Sequence, residues 1–549
     1  MSIVEILREN SRNSIKLIAI GAIFVFAAVI FTGRNFVTTA QRDLKGDGPA
    51  NQGPVVPRQD GNAAAGREVF RFETFGNEGF WTDAVRVPKG VADSKLTPLK
   101  ALQVGLSVDV DALDGATKAA VAKELRMDPT GAKSKLFNDP KTTMALLNAN
   151  AVIGMVVKDT NGDGKLDVAS GDKVGTSCAL CHTITDGSVL NLPKGGSIGS
   201  RRDGLTNHNL NIGAIFATAA NTRALYPVAQ LSLSANKGKT LGRAPKGLTE
   251  KSSEKDIDAY FSNPAFYPVG MFDDTVDGNG DPMHTTPLFR QDLAAPYGSE
   301  GTIARLDNFS NLVYTVLFDQ TTLTTPGGRA MMNTLGGAAG DEIVDDYVKI
   351  LKDTKVTGYP YITAAPHPQP GSEDAPAGIR VDETKLRDFN AYMVSLAAPA
   401  GENGDPRAIA RGLDTFRSQG CVTCHNVDQS RRVPSFLIPM KTLFPGDNPV
   451  TLAQRKPPLN PVLDTPGVFF DDKMAIFNAS IFRGDVRGGA MPLLLDLARK
   501  PAFLHDDTVP TMNVLFDASR GANAPHPFYV SDQRQRADLI TFLRSLSAR

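Results

Sequence analysis

Two copies of the pattern Cys-x-x-Cys-His account for all 4 cysteines of this 549-residue chain. The copies are Cys178-Ala-Leu-Cys181-His182 and Cys421-Val-Thr-Cys424-His425. No cysteine remains for a disulfide framework. The pattern is the attachment signature of a c-type haem, in which two thiols on one turn reach one porphyrin and the adjacent imidazole coordinates iron. We therefore predict two covalently bound haem c groups, with four thioether cysteines and proximal iron ligands His182 and His425.

Two other interpretations of the pattern are a redox dithiol and half of a zinc site. A thioredoxin-like dithiol follows a strand in a βαβ unit, and we expect neither copy to follow a strand. A zinc site that pairs the two motifs is possible by ligand type. The flanking sequence resembles neither a zinc ribbon nor a zinc finger, so we favour haem.

The length and the charge of the chain bound its class. At 549 residues, the chain should form more than one domain. Lys+Arg and Asp+Glu are both 59, so no excess charge favours nucleic acid, and we expect no nucleic-acid partner. The 50 glycines and 36 prolines predict many loops and turns, as expected where a large flat cofactor organises the core.

The N-terminal residues predict a membrane anchor. Arg8, Arg12 and Lys16 precede an apolar run over residues 17–33, which is short for a membrane span. Basic residues before the run place the N-terminus in the cytoplasm and the remainder in the periplasm. A cleaved signal peptide is the alternative, although Thr38-Thr39-Ala40 is a poor cleavage site. Residues 41–63 are rich in Gly, Pro, Asp, Asn and Gln, which indicates a flexible linker.

A helix pair frames the second motif. Gly412 and Phe416 lie one turn apart on a predicted helix just before Cys421. Near the C-terminus, Ser531 is a candidate N-cap. The apolar residues after it have helical spacing: Leu539, Phe542, Leu543 and Leu546. A Gly/Phe helix before the haem motif and an amphipathic helix at the end resemble small soluble cytochrome c domains, in which these two helices cross.

The first half repeats this order of motifs, so we predict a duplication. Gly66-Arg-Glu-Val-Phe70 matches Gly412-Leu-Asp-Thr-Phe416, and Asp388-Phe-Asn-Ala-Tyr-Met-Val-Ser-Leu396 matches Asp538-Leu-Ile-Thr-Phe-Leu-Arg-Ser-Leu546. Two further matches join 287–296 to 492–501 and 316–319 to 514–517. The first motif lies over a hundred residues beyond Phe70, so we predict a long insertion between them.

The segment Lys500-Pro-Ala-Phe-Leu-His505-Asp-Asp-Thr-Val-Pro-Thr-Met512 resembles the P-Y-x-H-D-G-S-V-x-T-L segment of bacterial di-haem cytochrome c peroxidases and their relatives. Those relatives include the di-haem enzyme of methylamine utilisation and the di-haem rubber oxygenases. The resemblance implies one haem that exchanges electrons and another that binds peroxide or oxygen. Asp507 stands where that superfamily has Gly, and Glu300 stands in the first half where His505 stands in the second. These departures put peroxidase activity in doubt more than the fold.

The sixth ligand of each iron decides between electron transfer and oxygen or peroxide chemistry. For the second haem we favour Met491, which precedes a proline as in the axial loops of small cytochromes c, with His505 as the alternative and His526 as a weaker one. For the first haem the candidates are His208, Met271, Met283 and His284. Repeat logic favours Met283 or His284, and an open site is the alternative.

Two further features carry weaker hypotheses. Asp159, Asn161 and Asp163 begin a loop like the first half of an EF-hand, which suggests calcium, although Ser170 replaces the bidentate Glu. A turn stabilised by Gly, Asn and Asp is the alternative. The single tryptophan, Trp81, is either an electron stepping stone between the haems or a core residue.

The predicted fold is mainly α. It comprises an anchor or signal peptide (1–40), a linker (41–63), an enlarged cytochrome c-like domain with a loop-rich insertion (64–398), a second linker (399–406) and a cytochrome c domain (407–549). The predicted function is electron transfer with redox partner proteins at the membrane or in the periplasm. The enzymatic alternative is a di-haem peroxidase or an oxygenase, with its chemistry at the first haem. A structural subunit whose haems only reach a partner's redox site is a third interpretation.

Overall fold

Helices dominate the computed structural model of this chain. The structure describes residues 60–234, 247–273, 275–278, 280, 282–295, 297–298, 303–427, 438–439, 488–489, 492–504, 507 and 509–547. The α-helices in these ranges are α1 Ala63–Phe72, α2 Val87–Asp93, α3 Pro98–Gln103, α4 Gly115–Met127, α5 Pro140–Asn148, α6 Ala179–His182, α7 Ile212–Phe216, α8 Glu254–Phe261, α9 Leu306–Leu312, α10 Pro326–Gly336, α11 Ala338–Asp353, α12 Glu383–Ser395, α13 Pro406–Ser418, α14 Met512–Leu515 and α15 Gln533–Ser545. The prediction of a mainly α fold is confirmed at this level.

The strands are short and form small separate sheets. They are β1 Val108–Asp109, β2 Met155–Lys158, β3 Lys173–Thr176, β4 Thr183–Thr185, β5 Leu190–Asn191, β6 Ser197–Gly199, β7 Arg201–Asp203, β8 Met271–Phe272, β9 Met283–His284, β10 Ala365–Pro366, β11 Ile379–Arg380, β12 Ile438–Pro439 and β13 Gly488–Gly489. One sheet has three strands in the order β1-β6-β5, and the others are strand pairs. The segment predicted as a loop-rich insertion therefore contains helices and small sheets.

Two helix pairs cross with the same packing register. Helix α1 packs against α12, and α13 packs against α15. A Cβ atom added to Gly66 would lie 1.8 Å from the carbonyl oxygen of Asp388, and one added to Gly412 would lie 2.2 Å from that of Asp538. Only glycine lets the backbones approach this closely. The residues that the sequence comparison equates therefore make equivalent contacts.

Aromatic rings close both crossings. The rings of Phe70 and Tyr392 are 5.6 Å apart at 65°, and those of Phe416 and Phe542 are 5.7 Å apart at 60°. Edge-to-face geometry at this distance is favourable for aromatic pairs. The C-terminal helix begins one residue later than predicted, because Asp532 rather than Ser531 is its N-cap and accepts a bond from the Gln535 amide.

The matched segments 316–319 and 514–517 also end alike. Asp319 caps the 3-10 helix Gln320–Thr324, and Asp517 caps the 3-10 helix Ala518–Arg520, each by accepting the backbone N–H two residues on. Isolated bridges pair Tyr297 with Ile303 and Phe503 with Val509. If Tyr297 corresponds to Phe503 and Ile303 to Val509, the two halves align one residue away from the sequence match of residue 300 to residue 505. Residues 300 and 505 lie outside the described ranges.

Three apolar clusters fill the described interior. The largest belongs to the first half, and a smaller one surrounds Leu413, Phe416 and Phe542 in the second. The third joins Phe289 and Ala398 to Leu495, so it brings the halves together. No helix within the described ranges combines the length and hydropathy needed to cross a bilayer. The predicted anchor, residues 17–33, lies outside those ranges.

Candidate functional site

A single cavity of about 580 Å³ is bordered by both Cys-x-x-Cys-His motifs. All six cysteine and histidine side chains of the motifs line it. Further histidines line the same cavity: His208, His284 and His526. Most of the remaining lining is apolar, with rings from Trp81, Phe216, Phe309 and Phe389 and aliphatic side chains such as Leu495. A large apolar cofactor fits such a lining.

The first motif is fixed by contacts with helix α1 and its following turn. The side chain of Asn77 donates to the carbonyl of Thr176 and accepts from its amide, each at 2.9 Å, and Ser177 donates to the carbonyl of Arg71 at 2.8 Å. The amide of His182 then bonds the carbonyl of Cys178 at 3.2 Å. Both thiols and the imidazole are therefore on one turn, as the haem signature requires.

The expectation that neither motif follows a strand is wrong for the first copy. Strand β3 ends at Thr176, two residues before Cys178. It pairs antiparallel with β2 in a two-strand ribbon, whereas a thioredoxin-like site needs a βαβ unit. A period-two pattern of four residues is too short to distinguish from a loop in the sequence.

The second motif follows helix α13 directly. Gly420 has a φ of 73°, which reverses the chain after the helix and begins the turn Cys421–Thr423. The amide of His425 bonds the carbonyl of Cys421 at 2.9 Å, the same bond that closes the first motif. Both motifs thus present two thiols and an imidazole from one turn.

The two motif histidines are neutral at physiological pH. Each ring is half-buried and faces the cavity, and burial lowers the pKa of both His182 and His425 to about 4. Their Nδ1 atoms are buried without a hydrogen-bond partner among the described residues. A neutral imidazole is the form that coordinates a metal ion.

Three of the four cysteines are unsuited to thiol redox chemistry. All four are free. Burial raises the pKa of Cys178 and Cys181 to about 12 and that of Cys421 to about 11, whereas reactive dithiols have lowered thiol pKa values. Cys178 Sγ lies 3.4 Å from the hydroxyl of Tyr314. Within the described ranges no three Cys, His, Asp or Glu side chains gather as a metal site, so zinc shared between the motifs gains no support.

Two further histidines lie together on the cavity wall. The rings of His208 and His284 stack with centres 5.3 Å apart at 23°. His284 is in β9, opposite Met271 of β8, and Met283 beside it also lines the cavity, whereas Met271 does not. Burial lowers the pKa of His208 to about 3. The structure thus brings His208, Met283 and His284 into the cavity that holds His182.

The His284 ring has a carboxylate partner from the other half. Its Nδ1 lies 3.3 Å from Asp507 Oδ1. Burial lowers the pKa of His284, and the bond to Asp507 opposes that effect. Lys500 also lines the cavity, and burial lowers its ammonium pKa while Asp507 opposes this.

On the wall of the same cavity, His526 approaches His425. Their ring centres are 6.1 Å apart, with the ring planes at 52°. His526 has a φ of 55°, which is uncommon for a residue with a side chain, and its Nδ1 is buried without a partner among the described residues. The predicted ligand Met491 and its alternative His505 lie outside the described residues.

Trp81 lines the cavity but is also a core residue. Its ring stacks on Phe216 with centres 5.9 Å apart at 25° and meets Phe80 edge-on at 5.3 Å. The side chain is buried, and its indole Nε1 has no hydrogen-bond partner among the described residues. The position is compatible with both roles considered for it.

The acidic loop after β2 is held by its own backbone. Asp159 accepts from the amides of Gly162 and Gly164 at 2.7 and 2.9 Å, and Asn161 and Asp163 each accept the amide two residues on. These are the bonds of Asp/Asn turns. Calcium at Asp159, Asn161 and Asp163 stays a prediction.

Several cavity contacts were not apparent in the sequence. Tyr314 lies 136 positions from Cys178, and nothing near it in the sequence indicates the contact. In the sequence, Asp507 is notable only because it stands where the di-haem peroxidase pattern has Gly. For His526, the flanking prolines are a signal in the sequence, because Pro525 and Pro527 restrict the backbone of the histidine between them.

No protein-family model matches this chain, and no curated protein matches it. Among solved structures, one of hydrazine synthase from Kuenenia stuttgartiensis, pressurised with xenon, is similar to this chain at 14% sequence identity. The match covers 50% of this chain and 76% of the hydrazine synthase chain. The TM-score is 0.26, which carries no argument about fold or chemistry. The resemblance to di-haem peroxidases and rubber oxygenases therefore stays a prediction.

Proposed function

We propose that this chain is a di-haem c-type cytochrome that transfers electrons, tethered to the inner membrane with its main body in the periplasm. The observation that carries the proposal is the cavity shared by both Cys-x-x-Cys-His motifs. When bound, haem iron supplies one-electron exchange.

The motif residues fit two covalent haems. In each motif, one backbone bond closes the turn from the histidine amide to the first cysteine carbonyl, so two thiols and an imidazole leave from the same turn. The thiols are free, and they line a largely apolar cavity. His182 and His425 would hold the irons from the proximal side, because both rings are neutral and face the cavity.

The shared cavity favours electron transfer between the two sites. Both motifs border one cavity. Phe289 and Leu495, from different halves, pack together beside it. Two cofactors in one apolar compartment would be close and shielded from water. Electrons could then enter at one motif and leave at the other towards a redox partner protein.

The location follows from chemistry and from the N-terminal sequence. Covalent attachment to Cys-x-x-Cys-His is expected on the exported side of a membrane. Independently, Arg8, Arg12 and Lys16 before the apolar run over residues 17–33 predict export of everything after it. The two arguments agree on a periplasmic body and an inner-membrane anchor.

The second candidate function is a di-haem peroxidase or oxygenase with its chemistry at the first motif. One observation favours it: His208 and His284 both line the cavity that contains His182. If His182 held an iron, at most one of these two imidazoles could bind it as well, so the other would stay free. A free, neutral imidazole beside an iron can donate or accept a proton. Asp507 would orient His284 for either role.

The test of the proposal is the haem content of four chains produced with covalent haem maturation in the periplasm. These are the wild type, Cys178→Ala/Cys181→Ala, Cys421→Ala/Cys424→Ala, and the matched control Ser418→Ala, which leaves both motifs intact. A pyridine haemochrome assay should give two haems per wild-type and control chain. Each double variant should lose one of the two.

Oxidised and reduced spectra then separate the two candidate functions. Two low-spin haems that ignore cyanide and carbon monoxide support electron transfer. A high-spin ferric haem that binds these ligands supports the enzyme, and it should survive in the second-motif variant. Full-length chains that carry no covalent haem would refute both.

A further inference from the structure

We infer that His526 is the second axial ligand of the iron held by His425. This rests on the proposed function, and it makes the second site a closed bis-histidine centre.

The separation of the two rings matches one metal ion between them. A metal–imidazole bond is about 2 Å long, so two imidazoles on opposite sides of one ion have ring centres roughly 6 Å apart. The centres of His425 and His526 are 6.1 Å apart. The His208 and His284 rings differ: at 5.3 Å and 23° they stack face to face and leave no room for an ion between them.

The backbone holds His526 in a restricted conformation. The φ of His526 is 55°, and the proline that follows it, Pro527, further restricts the backbone conformations that His526 can adopt. Such a conformation persists only where the surroundings impose it, and it is common at functional sites. The segment 521–530 thus fixes one histidine at the cost of local strain.

Arg520 clamps this strained segment to the second core. Its guanidinium donates to the carbonyls of Leu515 at 3.1 Å, Pro525 at 2.6 Å and His526 at 3.4 Å. The amide of Phe528 also bonds the His526 carbonyl at 2.9 Å, and the two rings meet edge-on at 5.0 Å. The imidazole is therefore positioned before any ligand binds, which lowers the entropic cost of coordination.

The His526 imidazole lies on the wall of the cavity that contains His425. Its Nδ1 is buried without a hydrogen-bond partner among the described residues, so this nitrogen is not engaged elsewhere in that part of the chain.

The test uses full-length chains matured with haem and read by electron paramagnetic resonance and near-infrared spectroscopy. His526→Gly should keep both haems but convert one from low spin to high spin, which removes about half of the low-spin signal. Added imidazole should restore it. His526→Met should instead introduce a Met–iron charge-transfer band and raise the potential of that haem, since Met raises the potential relative to His.

The controls separate this inference from the proposed function. His367→Ala removes a histidine that does not line the cavity and should change nothing. Met491→Leu and His505→Ala address the other candidate ligands. Two haems with unchanged spectra in His526→Gly would overturn the assignment of His526 and leave the di-haem proposal standing. Fewer than two haems in the wild type would instead refute the proposed function.

Discussion

Asp507 Oδ2 lies 3.4 Å from His284 Nδ1, within hydrogen-bond distance, and joins residues 223 positions apart. A carboxylate that accepts from the second nitrogen of an imidazole fixes its orientation and tautomer and makes it a stronger metal ligand. The second half of the chain thus supplies the partner of a histidine that lines the cavity from the first half. Asp507 is also one of the residues by which the sequence departs from the peroxidase pattern.

We predict that Asp507→Asn selectively changes the first haem. If His284 binds that iron, loss of the negative charge should weaken the ligand's donation and raise the potential of the first haem, with the second unchanged. A spectroelectrochemical titration resolves the two haems. Asp532→Asn is the matched control, because asparagine also caps a helix and Asp532 does not line the cavity. Equal shifts of both haems would contradict a local role.

The helix crossings predict a large cost for one methyl group. In Gly412→Ala the new Cβ would lie 2.2 Å from the carbonyl oxygen of Asp538 and 2.6 Å from Cβ of Phe542, so α13 and α15 must separate. We expect a loss of about 2–3 kcal/mol in the free energy of unfolding, measured by urea denaturation of the holoprotein. Gly115→Ala is the control, since its Cβ meets nothing within 4 Å, and it should be neutral or slightly stabilising. Equal stabilities for the two variants would refute the close approach.

We expect a substitution of Asp319 to lower the free energy of unfolding as well. Its buried carboxylate accepts from the amides of Thr321 at 3.1 Å, Tyr361 at 2.7 Å and Ile362 at 2.8 Å, which ties distant loops together. Asparagine has one carbonyl oxygen, so Asp319→Asn turns an N–H donor towards other donors and should cost about 2 kcal/mol in unfolding free energy. The control is Asp382→Asn at the exposed cap of α12, which should change stability little. A variant as stable as the wild type would show that these bonds contribute nothing.

Asp517, which matches Asp319 in the sequence, predicts that the stability of the fold decreases at acidic pH. The amide of Ser519 and then Arg536 lower the Asp517 pKa from 3.8 to about 2. The unfolded chain therefore binds more protons than the folded chain between these values. The stabilisation is complete above about pH 4 and is lost as the pH falls towards 2. Asp517→Asn should thus lose less stability than the wild type between pH 5 and pH 3 in urea denaturation. Parallel losses in both chains would contradict the assignment.

Burial acts in the other direction on Asp319. It raises the Asp319 pKa in spite of the hydrogen bonds to the carboxylate. A raised carboxyl pKa means that the folded chain binds the proton more tightly, so this residue's contribution to stability falls as the pH rises through the shifted range. The two aspartates occupy matched sequence positions, yet their exposure gives them opposite signs.

The helix pairs could be predicted from sequence because their signals are local. A glycine and a phenylalanine one turn apart and an apolar stripe at helical spacing indicate which faces pack. The crossing of Gly66 with Asp388 and of Gly412 with Asp538 then follows from the same register. The predicted domain boundaries, the duplication and the axial ligands Met491, His505, Met283 and His284 stay predictions.

The cavity wall could not be predicted in the same way. The contacts of Tyr314 with Cys178 and of His284 with Asp507 join residues more than a hundred positions apart, and no spacing rule reports such contacts. The sequence does not predict strand β3, because four residues carry too little periodicity. It favours His526 only weakly as a ligand, because a histidine between prolines is typical of a surface turn. The position of His526 near His425 depends on a backbone φ that the sequence does not specify.

The cluster of Phe289, Ala398 and Leu495 limits how the two halves of this protein can be separated or exchanged. Its side chains come from both halves and pack beside the lining that both halves share. Neither half can therefore be exchanged for a related one without reshaping the other, even though each carries its own attachment motif. Modular swaps and truncations should fail at this joint, and change in the two halves has to be concerted across it.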